Sequence, residues 1–261
     1  SPEGLLQAVM SRQADLVAAW MSVGFIHGVM NTDNCAISGE TIDFGPCAFM
    51  DEYHPMTVFS SIDRNGRYAY ARQADIIVWN MAQLATSLVP LMPDADAAVE
   101  TFTTAINTMP DRLQSAWTRR FAAKIGLSDP RPDDHALITG LLALMAEQGA
   151  DFTNTFRALA DDRAADQFVD PTAFEGWARR WRDRVRDADA PHKVMRNANP
   201  YVIPRNHRIE EMIVAAVGGD MAPFQRLMTA LARPFDDQPE FADLTRPPAD
   251  GERVEATFCG T

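Results

Sequence analysis

Apolar residues recur at mixed spacings of three and four through Leu5, Leu6, Val9, Met10, Leu16, Val17 and Trp20, which predicts an amphipathic helix running up to His27. Past Cys35 the pattern becomes short and alternating. Ile37, Ile42 and Phe44 fall around the Ser38-Gly39 turn and predict a small β-hairpin over residues 35–44. Gly45, Pro46, Pro55, Asn65 and Gly66 then break the chain as far as residue 70, a polar stretch with the irregularity of a functional loop.

Helical periodicity returns over residues 73–89, where Ile76, Ile77, Trp79, Met81, Leu84 and Leu88 share a face and Pro90 and Pro93 end it. Helix-forming sequence follows over 94–125, interrupted at Pro110, with Asp111 as a fresh acidic start. Further helices are predicted over 135–148, 151–160, 171–186 with Pro171 in the first turn, 209–217 and 222–232. From Arg233 proline and acid predict an extended tail. No repeat and no glycine-serine linker divides the chain. The expected organisation is one mainly α domain over 1–261: a leading helix (1–26), loops and hairpin (27–70), a helical body (71–232) and the tail (233–261).

Composition narrows the function. A net charge of -12 and a pI near 4.8 argue against a general nucleic-acid or anionic-membrane surface. No apolar run approaches the roughly 20 residues of a membrane helix, and no basic segment leads into an apolar stretch at the N-terminus. The three cysteines, Cys35, Cys47 and Cys259, are too few for a disulfide scaffold, so the expected compartment is the reducing cytoplasm. Cys35 and Cys47 read as small half-buried residues, whereas Cys259 lies in the terminal TFCGT, where a thiol can react.

Candidate chemistry concentrates between His27 and Pro46, in HGVMNTDNCAISGETIDFGP. Asp33, Asn34 and Asp43 offer hard oxygen donors of the kind that hold magnesium beside nucleotide phosphates. In the kinase pattern H-R-D-x-x-x-x-N a metal-binding Asn follows His by seven residues, and a D-F-G comes later. His27 and Asn34 keep that offset, and Asp43-Phe44-Gly45 supplies the triplet. Gly28 and Val29 stand where the kinase Arg and catalytic Asp would be. Valine cannot accept a proton, so ordinary kinase chemistry has lost its base, and Asp33 is the nearby acid. The competing structural account makes Asp33 and Asn34 a turn, Asp43 a helix cap and Phe44 core.

The longer string GFIHGVMNTDNCAISGETIDFGPCAFMD, residues 24–51, resembles the signature of the selenoprotein O family of pseudokinase-fold proteins. RNGRYAYARQADIIVWNMAQLA (64–85), MRNANPYVIPRNHRIEEMI (195–213) and TFCGT resemble later family segments. The resemblance implies a kinase-like C-terminal lobe and AMP transfer from ATP to protein hydroxyls, with Mg2+ or Mn2+ as cofactor. It implies Asp33 as proton acceptor, Asn34 and Asp43 as metal ligands, and Cys259 as a C-terminal redox residue with Cys47 as an available partner. It also implies a preceding lobe bearing a glycine-rich loop and a nucleotide-binding Lys. No G-x-G-x-x-G run occurs here, and the two lysines, Lys124 and Lys193, follow the D-F-G. The chain is therefore expected to be the C-terminal part of a longer parent, with ATP, hydroxyl-bearing protein substrates and the missing lobe as partners, and to be weak alone.

Other polar residues read as structural. His27 is expected to pack and hydrogen-bond within its loop, and His54, His135, His192 and His207 have no metal spacing. The segment 196–208 reads as a non-helical polar brace set by Pro200 and Pro204. The run Arg179, Arg180, Arg182, Arg184 and Arg186 reads as a solvated face. A silent pseudokinase scaffold is the alternative to an adenylyltransferase, and Val29 disfavours an ordinary kinase.

Overall fold

A computed structural model describes residues 1–258 of the chain. Its order is α1 (Pro2–Ser22), β1 (Phe25–Ile26), β2 (Ala48–Phe49), α2 (Gln73–Leu88), α3 (Ala95–Ile106), α4 (Met109–Lys124) and α5 (Asp134–Gln148). Then come α6 (Phe152–Leu159), α7 (Pro171–Val185), α8 (Pro191–Ala198), α9 (Asn206–Val217) and α10 (Ala222–Leu231). The mainly α class expected from periodicity holds. Local chemistry sets the helix boundaries: Asp94, Asp151 and Asp170 accept amide N–H bonds at the starts of α3, α6 and α7. Gly149, in the left-handed region at φ 64, ends α5.

The small sheet is not where alternation placed it. Phe25 and Ile26 pair antiparallel with Phe49 and Ala48, while the expected hairpin over 35–44 is reduced to one bridge between Cys35 and Thr41. Its apolar residues explain the difference. Ile37, Ile42 and Phe44 are all exposed, so no buried face holds a second ladder in register. The flanking strands instead bury Phe25, Ile26 and Ala48.

Two large apolar clusters occupy the body. One joins the inner face of α1 to Ile76, Ile77 and Met81 of α2, Phe102 of α3 and Leu113 of α4. The other gathers α5, α6 and α7 around Phe121, Phe152, Phe156, Trp177 and Trp181. Trp177 and Trp181 stack 5.7 Å apart, and their indole N–H groups donate to Leu137 O and Ile125 O at 2.8 Å, so each brings a satisfied polar atom into the core. A smaller cluster about Val202, Leu227 and Leu244 seats the last helices.

Several sequence expectations need correction. Within the helical span Tyr70–Leu91 an 18-residue window reaches a mean hydropathy of 1.2, so one stretch does have the length and composition to cross a membrane. Here it packs against α1, α3 and α4 as a core helix. The segment 196–208 is helical at both ends, because α8 runs to Ala198 and α9 starts at Asn206, leaving a crossing over 199–205. Arg184 is no solvated residue: it pairs with buried Asp134 through Nε at 2.7 Å. The tail is not simply extended, since short 3-10 turns form at Pro239–Thr245 and Asp250–Glu252.

The crossing behaves as the brace expected of it. Arg205, 1% exposed, reaches Asp51 after β2 and Asp151 at the start of α6, at 2.5 and 2.8 Å. Asn199 is fully buried. It accepts from Lys124 Nζ at 2.7 Å and donates to Lys124 O and Phe156 O. Lys124 Nζ also lies over the Phe152 and Phe156 rings, and burial holds its pKa well below the usual lysine value. Replacing Arg205 by Met strands two acids inside the fold. The expected loss is about 3–5 kcal/mol of unfolding free energy by urea denaturation, whereas Arg182→Met, at the exposed pair with Glu175, leaves the midpoint nearly unchanged.

Candidate functional site

β1 ends one residue before His27, which is fully buried beside Trp20 and Phe25, with ring centroids at 5.3 and 6.3 Å. Its Nε2 lies 2.8 Å from Ile42 O, and Val29 N–H approaches Nδ1 at 3.4 Å, so the network assigns the proton to Nε2. One imidazole thus ties the first loop to the residue before Asp43. Burial lowers the His27 pKa, partly offset by the Ile42 carbonyl and the charge of Asp43. The loops also touch at Gly28, whose φ is 85: a Cβ there would lie 3.0 Å from Pro46 O. The residue in the kinase Arg position is therefore glycine for a steric reason.

Asp33 and Asn34 sit in a 3-10 turn at Thr32–Asn34. Asp33 is exposed. Asn34 donates Nδ2 to Val29 O at 3.0 Å, which leaves its Oδ1 as the available acceptor. Asp43 is exposed in the left-handed region at φ 54, unusual for a residue other than glycine, and Gly45 N–H lies 3.4 Å from its Oδ1. It caps no helix, and Phe44 is 60% exposed, so the account of Asp43 as cap and Phe44 as core fails on both counts. An apolar cavity of about 1160 Å³ adjoins the triplet, lined by Trp20, Phe25, Phe44, Cys47 and Phe49, with Arg120 as its charged residue.

The donor set fits a magnesium-like ion in one particular way. Asn34 Oδ1 and the Asp43 carboxylate are hard oxygens, but among the described residues no cluster of three or more His, Cys, Asp and Glu side chains forms a cage. Two protein donors suit an ion whose remaining ligands are phosphate oxygens and water.

Periodicity alone did not reveal the residues that hold this loop. Gln73, fully buried at the start of α2, accepts from His27 N–H at 3.0 Å and donates to Phe25 O and Tyr70 O at 3.1 and 3.2 Å. Asn80, seven residues on, donates to Met30 O and Cys35 Sγ at 3.1 and 3.0 Å. Tyr68 O–H donates to Asn31 Oδ1 at 2.6 Å. The available signal was two amides at helical spacing among Ile76, Ile77 and Met81, where an apolar face has no use for them. Burial pushes the thiols of Cys35 and Cys47 up, in keeping with small packed residues. Cys259 lies outside the described residues. The tail before it reaches the second loop, since Thr257 Oγ1 donates to Pro46 O and its backbone bonds to Phe59 O and Ser61 N–H.

A helical lobe presenting an amide oxygen and exposed carboxylates on two clasped loops has the parts from which nucleotide-dependent transferases build the phosphate end of their sites. The family model described as protein adenylyltransferase SelO matches residues 3–232, and the chain belongs to that family. Protein nucleotidyltransferase YdiU of Ruegeria pomeroyi is 61% identical over 260 residues, covering 100% of this chain and 55% of that protein. The proteins of the same name from Ruegeria sp. and Roseobacter denitrificans are each 60% identical, over 99% and 100% of this chain and 55% of their own length. The chain therefore spans about half the length of the curated relatives it matches.

The buried histidine makes a pH prediction. Because its folded pKa lies below the ordinary 6.5, His27 leaves stability complete above that value. As pH falls from 6.5 toward the folded pKa, the unfolded chain takes a proton that the folded chain refuses, and stability declines. NMR titration of the His27 ring should give a midpoint below 6.5; a midpoint at or above it contradicts this account of the clasp.

Proposed function

We propose that the full-length protein is a metal-dependent adenylyltransferase that moves AMP from ATP to Ser, Thr or Tyr hydroxyls of other proteins, with this chain as its kinase-like C-terminal lobe. The observation that carries the proposal is Asp43, held left-handed and exposed beside a loop whose Asn34 commits its Nδ2 to Val29 O and keeps its carbonyl oxygen as the available acceptor. Family membership supports the same reaction class.

In this mechanism Asn34 and Asp43 hold Mg2+ or Mn2+, which when bound supplies charge neutralisation at the triphosphate. Asp33 accepts the proton of the acceptor hydroxyl. That oxygen bonds to the α-phosphorus as the bond to the β-phosphate oxygen breaks, and pyrophosphate leaves. Val29 contributes no proton acceptor, and His27, occupied at both nitrogens, serves position rather than proton transfer. The setting is cytoplasmic. Cys259, which lies outside the described residues, is assigned a redox role.

The remaining parts of a nucleotide site fall outside these 261 residues. Lys124, enclosed with Asn199, does not replace a phosphate-binding lysine. The chain alone is expected to bind ATP weakly and transfer little AMP. A scaffold that binds a partner protein is the second reading, favoured by the exposed Val214, Val217, Phe224 and Met228 of α9 and α10.

Parallel incubation of a protein of the relatives' full length with ATP labelled at the α- or γ-phosphate decides between them. Label on protein from the α position alone is expected, reduced about 100-fold or more by Asp43→Ala with the fold intact. Label from γ alone means a kinase, and none from either position means a scaffold. Asp33→Asn should lower kcat more than KM. Strong AMP transfer by the 261-residue chain alone, abolished by Asp43→Ala, would overturn its assignment as an insufficient part.

A further inference from the structure

A second cavity, of about 560 Å³, lies in the helical body, and no residue between 27 and 46 lines it. Its walls come from α1, α2, α4 and α5 and from the chain around Tyr53 and Tyr70. Small side chains leave the space open: Ala18 of α1, Ala71 in the turn before α2, Ala74 at the start of α2, and Ala143 and Ala146 of α5. Three aromatic residues line it as well. Tyr53 and Tyr70 stand edge to face at 5.9 Å, and Trp117 is fixed by stacking on Phe121 at 4.4 Å.

The lining carries one carboxylate, Asp75, and no lysine or arginine. Asp75 is exposed, and among the described residues it enters no ion pair. His135, also in the lining, is engaged through Nδ1 with Gln114 Nε2 at 3.1 Å. Electron-rich rings with a single free carboxylate suit an organic cation: the rings attract a positive charge that is hard to hydrate, the carboxylate supplies the sign, and the alanines leave room for its alkyl groups. An anionic ligand meets the opposite field.

We propose that this cavity binds an organic ammonium ion, a methylated or otherwise alkyl-substituted amine with an apolar body. The site is separate from the nucleotide loops and does not rest on the adenylyltransferase reading.

The test titrates the full 261-residue chain with benzyltrimethylammonium, and with phenylacetate and benzyl alcohol as anionic and neutral counterparts of similar size, following Trp117 and Tyr53 resonances by NMR. Benzyltrimethylammonium is expected to saturate at one equivalent and to bind about tenfold or more tighter than either counterpart. Asp75→Asn changes an exposed side chain, so the fold persists, and should weaken the cation about tenfold while leaving benzyl alcohol unchanged. Ala143→Phe, at an exposed wall position, should abolish the shifts. Overturning results are no saturation by about 10 mM, phenylacetate or benzyl alcohol binding as well as the cation, or an Asp75→Asn variant that binds the cation as before.

Discussion

The clasped loops depend on one buried amide. Gln73 uses its carbonyl oxygen on His27 N–H and its amide hydrogens on Phe25 O and Tyr70 O, so both donors and the carbonyl oxygen of the side chain are engaged. β1 is two residues long and has one ladder partner, too little to fix the direction in which the chain leaves it. The amide supplies that direction from α2, a helix itself held by Ile76, Ile77 and Met81 in the core. An apolar residue at 73 would leave a buried N–H and two carbonyls to find other partners, at the cost attached to any unpaired buried polar group. Packing energy in the body is thereby converted into position at the site.

Position then propagates along the loops by short links. His27 passes it to Ile42 across the clasp, Asn80 holds Met30 and Cys35, and Tyr68 holds Asn31. Asp43 follows directly on Ile42 in a backbone conformation that a free chain seldom adopts. Such a residue persists because its neighbours over-determine it. Here the neighbours are the imidazole clasp, the Gly28 contact with Pro46 and the Thr257 bond to the same carbonyl.

The helices were legible because each large one repeats its apolar face over several turns, and the bounds expected for 73–89, 135–148 and 171–186 lie within a residue or two of α2, α5 and α7. α8 was missed. It has eight residues and buries only Met195, so it has no face to repeat. The hairpin was over-read because alternation without burial does not make a strand, as exposed Ile37 and Ile42 show. In the site, Asp33, Asn34 and Asp43 were legible from order and spacing, being close in sequence. Their supports were not. Gln73 and Asn80 lie 45 residues or more from their loop partners, and Arg205 lies 154 from Asp51, separations that no local period encodes.

Charge gives the site its last constraint. Residues 27–46 hold Asp33, Glu40 and Asp43 and neither lysine nor arginine, within a chain of net charge -12. A bare triphosphate approaching the two exposed aspartates is repelled, and no nearby side chain of the loop offsets that repulsion. On the proposed reading the nucleotide therefore arrives as its metal complex, and the cation serves binding before it serves chemistry. Lys124 and Arg205 are committed to the fold, which leaves Arg120, on the wall of the cavity adjoining the triplet, as a basic side chain placed near the loops.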